Sequence, residues 1–518
     1  MGARSTFGIT CIAAASAALL VTSACTPSGP SGGAGDSGSS SKPRSGGSIA
    51  IGVGEPFSGW DPSKATTTTD YEIIKEVLEP LVVMNAKGTA VQPALADSYE
   101  YNKTRTELTV DLPPKAVFSD GTPLTSADVA FSVRDWKASP SGSLYASIKS
   151  VATPTAHRVV FKLTYPDSSL LPALTWANSA VIKKDFGGKS RVAYFKDPIG
   201  SGPFEVASYS PGSAIALKKN ERFHRTGLPH LDSVTFKIIN DPSQRVLQFK
   251  SGDIDVYDRV APDLAAQLPK SDVVSVPGAG ITGVIFNVKK SGPTSNVNFR
   301  KAVSLAIDRK ALVNSVYSGE AQVATAVQPP HVPGWTSCGA CDYPKQDLAA
   351  AKKALAASGY DGRSLELLVD STNGTNVLAA QALPPMLKKA GINVAVKQVD
   401  LATAIARATE GDITMSIADF HATSPTLNDA LGFWYSTGGF FTQSDPEQFL
   451  TAYGAVAAAA NTTQLKKASS DFEKVAFKNK WMAPVANLNN IFGIQPRVKG
   501  LTVNPLAIYN LSDLYVTS

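Results

Sequence analysis

A chain of 518 residues with 43% hydrophobic and 18% charged side chains has ordinary globular composition and enough length for more than one core. Its net charge of +6 is small for that length, and no dense Lys/Arg run with interleaved aromatics occurs, so nucleic acid is excluded as a natural partner. The histidines (157, 224, 230, 331 and 421) are scattered without metal-ligand spacing and only 4 cysteines are present, so neither a metal site nor a cofactor is expected.

Residues 1–24 read as a secretory leader: Arg4 supplies the positive start, and the stretch 7–21 is apolar yet too short to span a bilayer comfortably. It ends in Val21-Thr22-Ser23-Ala24-Cys25, small residues directly before a cysteine. This resembles a bacterial lipobox, with Thr22 where leucine is usual, and implies cleavage that leaves an acylated Cys25. An ordinary secretory signal with an incidental cysteine is the other reading. Residues 25–45 are almost all Gly, Ser and Pro, which cannot bury apolar surface and form a tether. Gly29-Pro30-Ser31-Gly32-Gly33 and Gly35-Asp36-Ser37-Gly38 mimic hydrolase nucleophile motifs, but neither lies between a strand and a helix.

Folded sequence begins near Gly46. Residues 48–53 alternate as a strand, Trp60-Asp61-Pro62 marks a turn, and Tyr71, Ile74, Val77 and Leu78 repeat at helical spacing. Residues 107–112 alternate again. Asp120-Gly121 then predicts a tight turn, and Pro123 bars helix for Thr122. A helix starts after Thr125, with Asp128 completing a capping box and Val129, Val133 and Trp136 on one apolar face. Asp253, Asp255 and Asp258 suggest a calcium loop, but its glycine and terminal glutamate are missing, so loop and strand-end carboxylates are expected. Phe299, Ala302, Val303, Ala306 and Ile307 form a helical face; Asp308 caps a second helix running to Tyr317, with Gly319 as its stop. Further on come an amphipathic helix over 345–359, a strand over 365–369, a helix over 379–390 broken at Pro384-Pro385, and strands over 392–399 and 413–417. Asp419 falls just past the last of these, where α/β proteins commonly place ligand groups. Cys338 and Cys341 stand three apart in a Gly/Pro-rich loop, and outside the cytoplasm a local disulfide is the simplest account.

The wording Phe118-Ser-Asp-Gly-Thr-Pro-Leu-Thr-Ser-Ala-Asp-Val-Ala-Phe-Ser132 resembles the signature of the family 5 extracellular solute-binding proteins, the oligopeptide- and dipeptide-binding receptors of ABC importers. Glu79-Pro80-Leu81, the run 92–99, Asp197-Pro-Ile-Gly-Ser-Gly-Pro-Phe204, Asn220-Glu-Arg-Phe223, the run 250–255 and the run 298–312 match its other landmarks, so the resemblance covers 46–518.

Strands alternating with helices argue an α/β protein. The resemblance implies two lobes around a hinged cleft, the periplasmic-binding-protein arrangement, with an extra domain inserted in lobe one. Lobe one is expected at 46–82, 197–278 and 487–518, the inserted domain at 83–196 and lobe two at 279–486, with crossovers near 278–282 and 485–488. The function implied is capture of short peptides in the cleft and delivery to ABC permease subunits, by a monomer lipid-anchored to the outer face of the cell membrane. In peptide-binding members an Ala-Asp-Tyr followed by proline pairs with the peptide α-ammonium. Ala418-Asp419-Phe420 matches it, although His421-Ala422-Thr423 replaces the usual acidic residue and Pro425 comes late. A loop aspartate capping a turn is the bland alternative. Glu55, Phe433 and Trp434 are further cleft candidates. Within the family a sugar, nickel or haem could replace the peptide, but nickel or haem would need clustered ligands. A secreted hydrolase would need a nucleophile with its base, and no such motif occurs outside the tether, so no enzyme is expected. A surface adhesion or signalling protein is a third class, which gene neighbourhood would separate.

Overall fold

Val273–Phe286 and Met482–Ile494 are the two longest strands, and they run antiparallel through the middle of an 11-stranded sheet. They are found in a computed structural model that describes residues 43–517 apart from 66, 290, 337, 340, 342, 344, 423–424 and 436–445. From Gly278 to Phe286 the first of these strands is almost continuously apolar and buried on both faces, as a central strand requires. Beyond Met482–Ile494 the sheet continues through Val256–Tyr257, Ser48–Val53, Ser233–Ile238, Ala214–Lys219 and Phe204–Ser210. On the other side of Val273–Phe286 it continues through Met415–His421, Leu365–Asp370 and Val394–Val399.

Each half has its own parallel strands. Ser48–Val53 is parallel to both Ser233–Ile238 and Val256–Tyr257, and Leu365–Asp370 is parallel to both Val394–Val399 and Met415–His421. Each half also has its own core: Ile51, Val53, Ile73, Ile74 and Phe236 in one, and Val284, Phe299, Val303, Leu367 and Leu383 in the other. Two lobes strung on two long shared strands are the result. The pairing of those strands slips between Pro277 and Gly280, where the chain passes from one core to the next. Backbone crowds there: a Cβ at Gly278 would lie 2.8 Å from the Leu488 carbonyl oxygen.

A third core is built on the antiparallel strands Ser98–Tyr101, Glu107–Asp111, Arg158–Leu163 and Ile148–Thr155. Helix Ser126–Ala138 covers this sheet with Val129, Val133 and Trp136, against Leu108, Val110, Phe118 and Phe161. Gly121 has a φ of 83°, and Asp120 accepts from Thr122 N at 3.0 Å and pairs with Lys183 at 2.6 Å, which fixes the turn before the helix. The Asp128 carboxylate accepts from Thr125 N at 2.8 Å, Thr125 Oγ1 at 3.0 Å and Lys184 N at 2.8 Å. Thr125 Oγ1 thus donates to Asp128, tightening the start of the helix. Thr125→Ala is expected to lower the unfolding free energy by about 1 kcal/mol and leave solute affinity unchanged, checked by urea titration beside calorimetry. Ile182, Tyr194 and Phe195 pack in the same core as Ile51, Val53 and Phe236.

Two elements differ from their sequence expectation. Helix Gly374–Ala390 runs through Pro384 and Pro385, because Ala379, Ala380, Leu383 and Leu387 are anchored in the core of lobe two. The strand expected over 413–417 spans Met415–His421, so Asp419 lies inside it, opposite Thr282. Cys338 and Cys341 are joined as a disulfide, their Cα atoms 5.5 Å apart. Among the described residues no helix is long and apolar enough to cross a membrane. The leader, Cys25 and the tether as far as residue 42 lie outside the described residues.

Candidate functional site

Alternation along Met415–His421 sorts its side chains. Ile417 enters the core shared with helix Gly374–Ala390, while Phe420 enters the opposite core with Ala279, Ile281 and Leu431 and is 3% exposed. Asp419 therefore points to the side where that helix begins. Asn373 caps the helix, accepting from Asn376 N at 3.0 Å, and sends its own amide to Asp419 Oδ2 at 3.0 Å. Thr282 Oγ1 donates to Asp419 Oδ1 at 2.5 Å from the paired strand. With the Asn376 amide oriented by its hydrogen-bond network, its nitrogen donates to Asp419 Oδ1 at 2.8 Å.

All three donors are neutral. They fix and solvate the carboxylate without cancelling its charge. A cavity of about 220 Å³ opens here, lined by Asp370, Asn373, Asn376, Asp419 and His421 with Leu401 on the apolar side. Tyr317 lies behind it, its phenol pushed up by burial and then by the charge of Asp419. A carboxylate held only by neutral donors in a cavity wall can accept the charge of a cation.

The other sequence candidates fall elsewhere. Phe420 is core, not cavity wall, because one residue along a strand reverses the face. Glu55 stands in the loop after Ser48–Val53, its side chain 44% exposed, accepting from Thr69 N at 3.3 Å. Phe433 and Trp434 belong to helix Leu427–Tyr435, and their side chains lie outside the described residues. Asn373, Asn376 and Thr282 were missed by sequence reasoning. Asn373 carried a usable signal as a cap residue after a strand; Thr282 carried none, since only pairing register brings it to Asp419.

Lobe one holds a second charged group around Glu55. Arg259 Nη2 is 2.5 Å from Asp258 and 3.7 Å from Glu55, and Nη1 is 3.6 Å from Glu72. Burial raises the Asp258 carboxyl to about 6 against the pull of Arg259, and burial with the charge of Asp258 raises Glu72 well above its usual range. Periodicity hid Glu72: helix Thr68–Val77 is buried at Asp70, Glu72 and Glu76 as well as at its apolar positions, so its polar face is not a solvated one.

The segment 83–196 touches lobe two directly. Arg105 Nε donates to the Ala460 carbonyl at 2.7 Å and Ser168 N to that of Ala459 at 3.2 Å. Trp176 and Leu506 join Ile281, Phe420 and Leu427 in one apolar cluster. A larger cavity of about 290 Å³, with Tyr71, Trp176, Phe223 and Tyr509 in its wall, takes no lining residue from 279–486, and the cavity at Asp419 takes none from outside 368–421, so each is lined from one side only.

Residues 90–442 match the family model described as bacterial extracellular solute-binding proteins, family 5. The chain is 28% identical over 395 residues to the oligopeptide-binding protein AppA of Bacillus subtilis, covering 70% of this chain and 71% of AppA. It is 25% identical over 493 residues to the probable D,D-dipeptide-binding periplasmic protein DdpA of Escherichia coli, covering 90% of this chain and 94% of DdpA. Among solved structures, the ABC transporter substrate-binding protein CtaP of Listeria monocytogenes superposes with a TM-score of 0.82 at 22% identity, over 92% of this chain and 100% of that one. AppA solved in complex with a nonapeptide superposes at 0.72 and 21% identity, over 92% of this chain and 100% of that one. An α/β architecture of two lobes on shared strands and a family match across 90–442 lead to one conclusion: the chain belongs to the bacterial extracellular solute-binding proteins, family 5.

Proposed function

We propose that this chain captures short peptides between its lobes and hands them to the permease of an ABC importer, with Asp419 pairing with the peptide α-ammonium. The observation that carries this reading is the Asp419 carboxylate, held in place by Thr282, Asn373 and Asn376, at a cavity, and neutralised by none of them. The names of the relatives, oligopeptide-binding for AppA and probable D,D-dipeptide-binding for DdpA, support the same class of solute. Closure on such a ligand requires that it touch both lobes, since only a preference for the closed form can shift the equilibrium.

The test is titration calorimetry with trialanine and its N-acetyl derivative. The free peptide is expected to bind and the acetylated one to lose at least about 30-fold in affinity, as a missing ion-pair partner in a desolvated site does. Equal affinity of the two would remove the ammonium from the reading.

Delivery implies residence at the outer face of the membrane, for which Cys25 is the anchor. An alkyne palmitate analogue fed to expressing cells should label the wild-type chain and not Cys25→Ser. Labelling of both to the same extent would show that Cys25 is not the acylated residue.

A further inference from the structure

The cavity at Asp419 does not end at the strand ends. It runs on beneath helix Leu401–Glu410, where the core is small: Leu368, Ala404, Ala408 and Ile413, with no aromatic ring among them. All four of these side chains stand in the cavity wall. Alanine at 404 and 408 leaves the room, since larger side chains at those positions would close the layer as cores normally are closed. The volume of about 220 Å³ far exceeds the roughly 15 Å³ in which a single water is held.

A second observation is independent of that shape. Ser416 is 6% exposed, and its Oγ has no hydrogen-bond partner among the described residues. It pairs in register with Leu368, and paired residues face the same side of a sheet. Its hydroxyl therefore points towards helix Leu401–Glu410, into the cavity that it lines. Ile285, its partner on the other neighbouring strand, offers no side-chain acceptor. A buried hydroxyl is normally satisfied, and one left alone costs stability unless a ligand uses it.

The two polar ends of the cavity set what can fill it. Ser416 lies three residues before Asp419, about 10 Å along the strand. Between the anionic mouth and the hydroxyl the wall is apolar, with few polar groups set in it, as in ligand pockets generally. An occupant that matches has an ammonium at one end, an apolar body and one neutral polar atom at the other. Leucine and phenylalanine side chains lack the polar end. A lysine side chain would carry a charge into the apolar layer. Tyrosine has both the apolar body and the hydroxyl, which can donate to or accept from Ser416.

We infer that this cavity takes the side chain of the residue that carries the ammonium, and that this residue is tyrosine-like, its ring between helix Leu401–Glu410 and the sheet and its phenol hydrogen-bonded to Ser416. This deepens the peptide-capture reading and rests on it for the placing of the ammonium at Asp419.

The experiment is titration calorimetry of the full folded chain with trialanine, Phe-Ala-Ala, Tyr-Ala-Ala and Ala-Tyr-Ala. Tyramine serves as a probe that is not a peptide. Phe-Ala-Ala should bind at least about tenfold tighter than trialanine, as apolar groups entering a fitted pocket do. Tyr-Ala-Ala should bind about threefold to tenfold tighter again, the worth of one neutral hydrogen bond. Ala-Tyr-Ala should show neither gain. Ser416→Ala should bring Tyr-Ala-Ala and Phe-Ala-Ala to equal affinity. Ala404→Leu should fill the layer and cut the preference of either peptide over trialanine to about threefold or less. Ala408→Val, a smaller filling, serves for the same reading if urea unfolding shows that Ala404→Leu is not folded. Equal affinity of trialanine, Phe-Ala-Ala and Tyr-Ala-Ala overturns the inference. So does a tyrosine preference that Ser416→Ala leaves intact, or one shared by Ala-Tyr-Ala; in each of these cases peptide capture itself still stands. Binding of tyramine, weakened by Ser416→Ala, with no peptide bound, would sink peptide capture and keep the assignment of the cavity. Binding of none of the probes would overturn both.

Discussion

Arg259→Met is expected to lower the unfolding free energy by about 3–5 kcal/mol at neutral pH, the cost of leaving buried charges without their partner. Methionine keeps the stem and its packing, so the loss reads the charge. Asp258 and Glu72 are both almost fully buried, and Arg259 is the cation within 4.0 Å of each. Lys75 is nearby on the same helix but is paired with Glu76. The sign with pH follows from the direction of the shifts. Asp258 is raised to about 6 and Glu72 is raised well above its usual range, so the folded state binds their protons more tightly than the unfolded state does. Their contribution to stability is fully present below about pH 4 and is lost as pH rises through the folded values. Removing Arg259 pushes both carboxyls higher still. The deficit of Arg259→Met should therefore be smaller at pH 5 than at pH 7.5. Urea unfolding at the two pH values measures it. A deficit under about 1 kcal/mol at both, or a larger one at pH 5, would show that Arg259 does not hold this group together. The triple variant Glu72→Gln/Asp258→Asn/Arg259→Met should recover much of the loss, because neutral side chains of similar volume carry no desolvation penalty of that size.

How much of this could be read from the chain depended on the range of the forces involved. Asp120-Gly121, the start of helix Ser126–Ala138 and the cap of Asp308 on Ala311 N at 3.0 Å are local, and the residues that make them are neighbours in sequence. The end of Met415–His421 was not local. Only its pairing with 280–286 of the long central strand carries it past Ile417 and places Asp419 within the strand. Helix Gly374–Ala390 likewise ignores the local veto of Pro384 and Pro385 because four of its side chains are anchored in a core assembled from distant segments. The acidic group of lobe one was illegible for a related reason. Asp258 read as a strand-end carboxylate, and the helical spacing of Tyr71, Ile74, Val77 and Leu78 gave Glu72 no role. Burial of both sides of helix Thr68–Val77 is a property of the assembled lobe, and no periodicity announces it.

Asp419→Asn should weaken binding of a short free peptide by about 2–5 kcal/mol, roughly 30-fold to several thousandfold. The size follows from the surroundings. Thr282, Asn373 and Asn376 hold the carboxylate without offsetting it, so under the proposed function the ligand ammonium supplies the opposite charge. Asparagine keeps the shape, removes the charge and replaces one acceptor by a donor. That donor must face an amide or hydroxyl that already donates, so a loss of stability of about 1–3 kcal/mol accompanies the change. Affinity alone would then confound a disturbed site with a missing charge. A double-mutant cycle separates them: wild type and Asp419→Asn, each with free and N-acetylated trialanine. If the carboxylate acts through the ammonium, acetylation costs the wild type most of its affinity and costs the variant almost nothing, giving a coupling of about 2 kcal/mol or more. A coupling near zero, with acetylation equally costly in both proteins, would mean that the ammonium is recognised elsewhere in the cleft and that Asp419 serves only to join the start of helix Gly374–Ala390 to the long central strand.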